Sequence, residues 1–149
     1  MRQLMKTGLL AMMLALPAAA MAQNASPAGM WKTIDDETGK PKSIVRITEE
    51  NGVLTGRIEK LFRPADQDQN PKCTACEGAR KDQPLIGMTI LSGLKKDGNE
   101  YTGGEILDPA KGKTYKSKAT LKDNGSKLEV RGYIGAPMFG RSQTWVREQ

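Results

Sequence analysis

Eight short runs of alternating polarity, each closed by a cluster of turn formers, constrain this chain more than anything else in it. The runs cover residues 31–34, 43–48, 53–62, 86–94, 100–107, 114–121, 127–134 and 141–147. Most of the segments between them are brief and read DDETGKP, EENG, KKDGN, DPAKGK, KDNGS and GAPMFG. Short runs punctuated by Gly, Pro, Asn and Asp predict β-strands, and none has the period of an amphipathic helix. The alternation is sharpest late in the chain. Tyr115, Ser117, Ala119 and Leu121 fall on one face, with Thr114, Lys116, Lys118 and Thr120 on the other. Leu128, Val130, Gly132 and Ile134 likewise oppose Glu129, Arg131 and Tyr133. One buried and one wet face is the pattern of an antiparallel sheet.

Turns as short as DPAKGK and KDNGS join sequential neighbours as hairpins. The expected fold is therefore all-β, an antiparallel up-and-down eight-stranded barrel, which leaves no open sheet edge. Eight strands enclose room for a packed core or one small ligand. The first strand opens Gly29-Met30-Trp31, and the last carries Trp145 and Arg147. A Trp on the barrel floor stacked under an Arg from the closing strand would be a cation–π plug, so Gly29, Trp31 and Arg147 are read as structural. This opening and closing pair resembles the lipocalin and fatty-acid-binding superfamily.

The resemblance to one family is closer. GMWKTID, CTACEGARKDQPLIGMTIL, GGEILDPAKGKTY, LEVRGYIG and GRSQTW, in that order, resemble the bacterial family named domain of unknown function 2147, from about Gly29 to Arg147. The resemblance implies an exported bacterial protein with a lipocalin-like barrel. It implies no catalytic mechanism.

The N-terminus is read as a secretory signal peptide over residues 1–22. Arg2 and Lys6 precede the apolar run 9–16, and Ala20-Met21-Ala22 supplies an A-x-A cleavage site. The run is shorter than the roughly 20 residues a spanning helix needs, and no later segment approaches that length. Cleavage is expected after Ala22, with residues 23–28 a disordered lead and 29–149 the barrel domain. No Cys stands at the cleavage site, so a lipid anchor is not indicated. The expected location is the periplasm, or outside the cell, of a Gram-negative bacterium. Loss of Arg2 and Lys6 takes Lys+Arg from 23 to 21 against 17 acidic residues, a net charge of +4. The basic residues are spread and interleaved with acids. Nucleic-acid binders more often carry a basic stripe with exposed aromatics, so no nucleic-acid partner is expected.

Histidine is absent, which removes the usual general base, the His-dependent triads and the commonest zinc ligand. Asp35-Asp36 and Glu49-Glu50 lie at turns, where neighbouring strand residues point apart. The chain is read as a non-enzyme with no cofactor and no metal site. Cys73 and Cys76 are the two cysteines of the chain. Their C-x-x-C lacks a following His for haem, a βαβ setting for thioredoxin-like redox work, and enough ligands for zinc within one chain. A local disulfide is the favoured reading, with redox and shared-metal uses as the alternatives. It sits in a 63–84 connection far longer than the usual 4–6 residues. Its four-residue ring is expected to contribute roughly 2 kcal/mol, to stiffen the tip of a lid, and to leave barrel stability nearly unchanged when a Cys is replaced.

The expected role is binding of a small apolar or amphipathic ligand inside the barrel. Ile44, Ile90, Tyr101, Tyr115, Val130 and Trp145 are the candidate lining, with space left by Gly103, Ser117, Ala119 and Gly132. Arg141 and Gln143, on the face of Trp145, are candidate polar contacts. Glu105 shares a face with Tyr101 by alternation and joins the candidate site if that face is inward. It would then need a partner, with Arg46, Arg57 and Arg131 in view, or its pKa would rise. The bulge-prone TGGE run could instead turn it outward. The alternative role is a cell-envelope protein–protein interaction module with a filled barrel and an exposed patch such as Met138 and Phe139.

Overall fold

The computed structural model describes residues 26–149; the expected signal peptide lies outside the described residues. Eight strands follow one another: β1 Gly29–Ile34, β2 Pro41–Glu50, β3 Val53–Leu61, β4 Thr89–Asp97, β5 Glu100–Asp108, β6 Lys113–Lys122, β7 Lys127–Tyr133 and β8 Gly140–Arg147. Each pairs antiparallel with the next, and β8 returns to β1, so the sheet closes as an up-and-down barrel. The closing seam is short, with Trp31 opposite Arg147 and Lys32 opposite Val146.

This topology sorts the connections into two ends. The tight turns at 51–52, 98–99 and 123–126 gather at the floor, with the start of β1 and the end of β8. The connections 35–40, 62–88, 109–112 and 134–139 gather at the mouth. The floor half is solid. Trp31, Val45, Leu54, Leu91, Leu94 and Leu128 are fully buried there, each stabilising the fold by about 1.5–3 kcal/mol. The whole indole of Trp31 is sealed in, and its Nε1 donates to the Pro27 carbonyl at 2.8 Å.

Arg147 covers that indole from below. Its guanidinium carbon lies 4.4 Å from the ring centroid. Its Nε donates to the Gly125 carbonyl at 2.7 Å, Nη1 to Ala28 at 2.9 Å and Nη2 to Ser26 at 2.8 Å. Gly29 makes the approach geometrically allowed. Its φ is +135°, and a Cβ there would stand 2.8 Å from Arg147 Nη1. Residues 26–28 are thus not a disordered lead: three of their carbonyls are hydrogen-bonded and Pro27 is fully buried.

Two irregularities decide which side chains face inward. On β5, Tyr101 pairs with Ala119, but Gly104 pairs with Ser117. The extra residue lies around Gly103, whose φ is +75°. A one-residue insertion exchanges the faces of everything beyond it. Tyr101 and Gly104 are therefore buried, while Gly103 and Glu105 are exposed. On β2, Ser43, Val45 and Ile47 point in, because they pair with or continue the inward phase of Trp31 and Thr33. Ile44 takes the opposite phase, between Lys32 and Lys60 in the sheet.

The 62–88 connection is ordered. Cys73 and Cys76 form a disulfide, with Cα atoms 5.3 Å apart. Cys73 N donates to Gln83 O, Asp82 N to Cys73 O and Leu85 N to Pro71 O, a short ladder around the Lys72–Pro84 bridge. Both cysteines are buried, at 1% and 2% exposure, within the main apolar cluster. The clasp docks on the β5–β6 hairpin. At that contact Gly112, with φ +67°, leaves no room for a Cβ, which would overlap the Ala75 carbonyl.

Candidate functional site

Above the packed floor the barrel opens into a cavity of about 340 Å³ that reaches the mouth. Its wall is apolar: Ile58, Ile90, Ile106, Tyr115, Val130 and Trp145. The alternation of β7 and β8 builds one side of it. Val130 lies opposite Gln143 and Gly132 opposite Arg141, so Trp145, Gln143 and Arg141 rise along one side from depth to rim. Gly132 keeps this wall low, because a Cβ there would press on Ile106 Cγ2 at 3.3 Å and Tyr115 Cβ at 3.5 Å.

Polar groups in the cavity are few and partly engaged. Thr33 Oγ1 and Ser43 Oγ share a hydrogen bond at 2.6 Å, which satisfies two buried hydroxyls on the wall. Trp145 Nε1 donates to Gln143 Oε1 at 3.2 Å. Outside the cavity lining, the Ser117 hydroxyl is wholly buried on the inward face between Gly104 and Gly132 and finds no partner. Charge is confined to the rim, where Asp36, Lys42, Asp108, Lys111 and Arg141 stand. Arg141 Nη2 faces Asp36 Oδ2 at 3.8 Å across the mouth, an exposed contact of small energetic weight. The Asp108 carboxylate is occupied by its own turn, accepting from Ala110 N at 3.0 Å. Such an arrangement can hold an apolar body in the wall and a polar end at the rim.

Of the nine candidate ligand contacts, Ile90, Tyr115, Val130, Arg141, Gln143 and Trp145 come together here. Three do not. Ile44 is buried, at 6% exposure, but on the outer face of the sheet between Lys32 and Lys60, and it does not line the cavity. Glu105 is exposed beyond the β5 bulge, across the sheet from Ser92 and Lys116, so it needs no buried partner. Tyr101 is inward but lies in the packed interior, away from the cavity. Burial raises its pKa above the usual 10.0, and the nearby Glu49 charge adds to that.

The rim residues Asp36, Lys42, Asp108 and Lys111 escaped the sequence reading. A signal for them existed: alternate turns of an up-and-down barrel must meet at one end, so 35–40, 109–112 and 134–139 share the mouth. None of residues 63–84 lines the cavity; Ala75, Cys76, Glu77 and Arg80 instead border a neighbouring depression that shares Leu107, Lys111, Tyr115 and Ile134 with it. The 63–84 connection lies beside the opening on the β5–β6 hairpin.

One plugged end, one open end and eight antiparallel strands define a lipocalin-like β-barrel. The fold matches that of a protein from the human pathogen Helicobacter pylori described as belonging to the lipocalin family. The TM-score is 0.69 at 24% identity, over 83% of this chain and 84% of that one. At that identity the likeness speaks for the fold alone. Among curated proteins, none matches the sequence. Residues 29–147 match the family described as uncharacterized protein conserved in bacteria (DUF2147), and the chain belongs to it.

Proposed function

We propose that this protein binds one small apolar or amphipathic molecule in the mouth of its barrel, as a non-enzymatic carrier of the bacterial periplasm. The observation that carries the reading is the division of the interior. The floor half is packed solid, while the mouth half holds an apolar cavity of about 340 Å³, within the range of small-molecule sites. A barrel used only through its outer surface would gain stability by filling that space. The rim charges favour a ligand with a polar end left near water. Export is supported by the Cys73–Cys76 disulfide, which persists in oxidising compartments, and by the leader-like sequence of residues 1–22.

Native mass spectrometry of the protein purified from its own periplasm tests this directly. A discrete added mass, released by organic extraction and rebinding to the stripped protein, is the expected result. Rebinding should quench the emission of Trp145, which lines the cavity. Stripped and native protein of identical mass, with no quenching by any extracted lipid fraction, would sink the proposal.

A further inference from the structure

The connection between β7 and β8 carries three apolar side chains that the fold pushes into water. Ile134 is 67% exposed, Met138 76% and Phe139 69%, whereas the other large exposed apolar residues stand near 40%. These three lie within six residues of one another, so the exposure is a patch and not scatter. The patch is also held in place. Arg131 Nε donates to the Pro137 carbonyl at 2.6 Å, Nη1 to Ser142 Oγ at 3.0 Å and Nη2 to the Gly140 carbonyl at 3.3 Å. Phe139 N donates to Ala136 O at 3.0 Å within the turn. Gly140 admits no side chain, since a Cβ would overlap the Gly132 carbonyl. A braced loop that presents Met and Phe outward loses little conformational entropy when those groups are covered.

Charge selects the partner. From residue 130 to residue 144, around the lip, the chain carries Arg131 and Arg141 and no acidic residue. Arg141, 81% exposed at its side chain, flanks the apolar tip at the rim, where Lys42 and Lys111 also stand. At that rim three cations stand against two carboxylates, of which Asp36 lies 3.8 Å from Arg141 and Asp108 accepts from its own turn. An apolar tip beside this excess of positive charge matches an anionic bilayer surface, the tip entering the headgroup–acyl boundary and the cations meeting lipid phosphates. Ile134 and Phe139 line the cavity as well as the tip. A tip seated in lipid would therefore bring the cavity mouth against the membrane. We propose that the 134–139 connection is a membrane-docking lip that seats the barrel mouth on an anionic phospholipid surface. This goes beyond ligand binding and does not depend on it, because docking needs only the outer faces of the lip.

The test uses the purified protein with vesicles of phosphatidylcholine alone, or of phosphatidylcholine mixed with phosphatidylglycerol. Wild type should float with the mixed vesicles and release as salt rises. Met138→Ser/Phe139→Ser, with an unchanged melting temperature, should partition about ten-fold more weakly. Arg141→Glu should weaken binding to the mixed vesicles only. Phe139→Trp adds a reporter at the tip, distinguishable because Trp31 and Trp145 are buried. Its extra emission should shift blue on vesicles and be quenched by brominated acyl chains. If the double variant does not fold, this reporter decides alone. Equal binding by wild type and the double variant overturns the proposal, as does an unshifted reporter. So does absence of vesicle binding, whether the lip then proves to join two copies by sedimentation or to cross-link to an envelope protein.

Discussion

The guanidinium of Arg147 stacks 4.4 Å from the ring centroid of Trp31, joining the last strand to the first across the floor of the barrel. Burial pulls the Arg147 pKa below its ordinary value, yet three carbonyls and one aromatic face hold the charge where it is. Arg147→Met keeps the stem but strands the carbonyls of Ser26, Ala28 and Gly125. The expected loss is about 3 kcal/mol, read from urea denaturation. Arg147→Lys should recover less than half of it, because an ammonium lacks the planar fork that reaches three acceptors. Full recovery by Lys would mean that charge alone matters.

The buried disulfide should matter more than a clasp on a free loop would. Cys73→Ser/Cys76→Ser places two hydroxyls among apolar groups and releases the ring, at an expected cost of about 2–4 kcal/mol. Gly112→Ala should loosen the same contact from the other side by pushing the Ala75 carbonyl away. Calorimetry of the two variants checks this; a melting temperature within a degree of wild type in both would show that the clasp is not part of the core.

Filling the cavity should separate binding from folding. Gly132→Val adds bulk against Ile106 and Tyr115 and should cost about 1–3 kcal/mol in overpacking. Ligand affinity, followed by Trp145 quenching, should fall at least about ten-fold. Unchanged affinity would place the ligand elsewhere.

Tyr101 gives the fold an alkaline limit. Its folded pKa is raised by burial first and by Glu49 second. The unfolded chain therefore releases the phenolic proton more readily. The stability tied to the neutral phenol is complete below the ordinary value of 10.0 and is lost as pH rises through the folded pKa. Denaturation midpoints measured across that window should fall with pH in wild type and less steeply in Tyr101→Phe. Parallel slopes would remove Tyr101 as the cause.

Much of this architecture was legible because alternation and turn chemistry are local. The Lys127–Tyr133 run states its buried face in its own residues, and the hairpin turns state their partners. The misplacements arose where a face depends on register across the sheet. In SIVRIT the apolar residues occupy both phases, so Ile44 and Val45 compete, and only pairing with Thr33 and Trp31 decides for Ser43 and Val45. In TGGE a single added residue turns Glu105 from candidate ligand contact to surface acid. Glu105→Gln should accordingly change stability by no more than about 0.5 kcal/mol, as thermal melts would show. The cysteine segment looked exposed because its flanks are polar. Its burial comes from the β5–β6 hairpin, distant in sequence, and from one glycine whose absent side chain makes the seat.

The seam between β1 and β8 has a mechanical consequence. Both of its strand ends, Gly29 and Arg147, emerge at the floor, so a force pulling them apart loads the pairs in turn and not all together. The barrel would open as a zipper does, from Trp31 and Arg147 inward. The cation stacked on that indole is the first bond such a force meets, and it guards a joint of only two residue pairs.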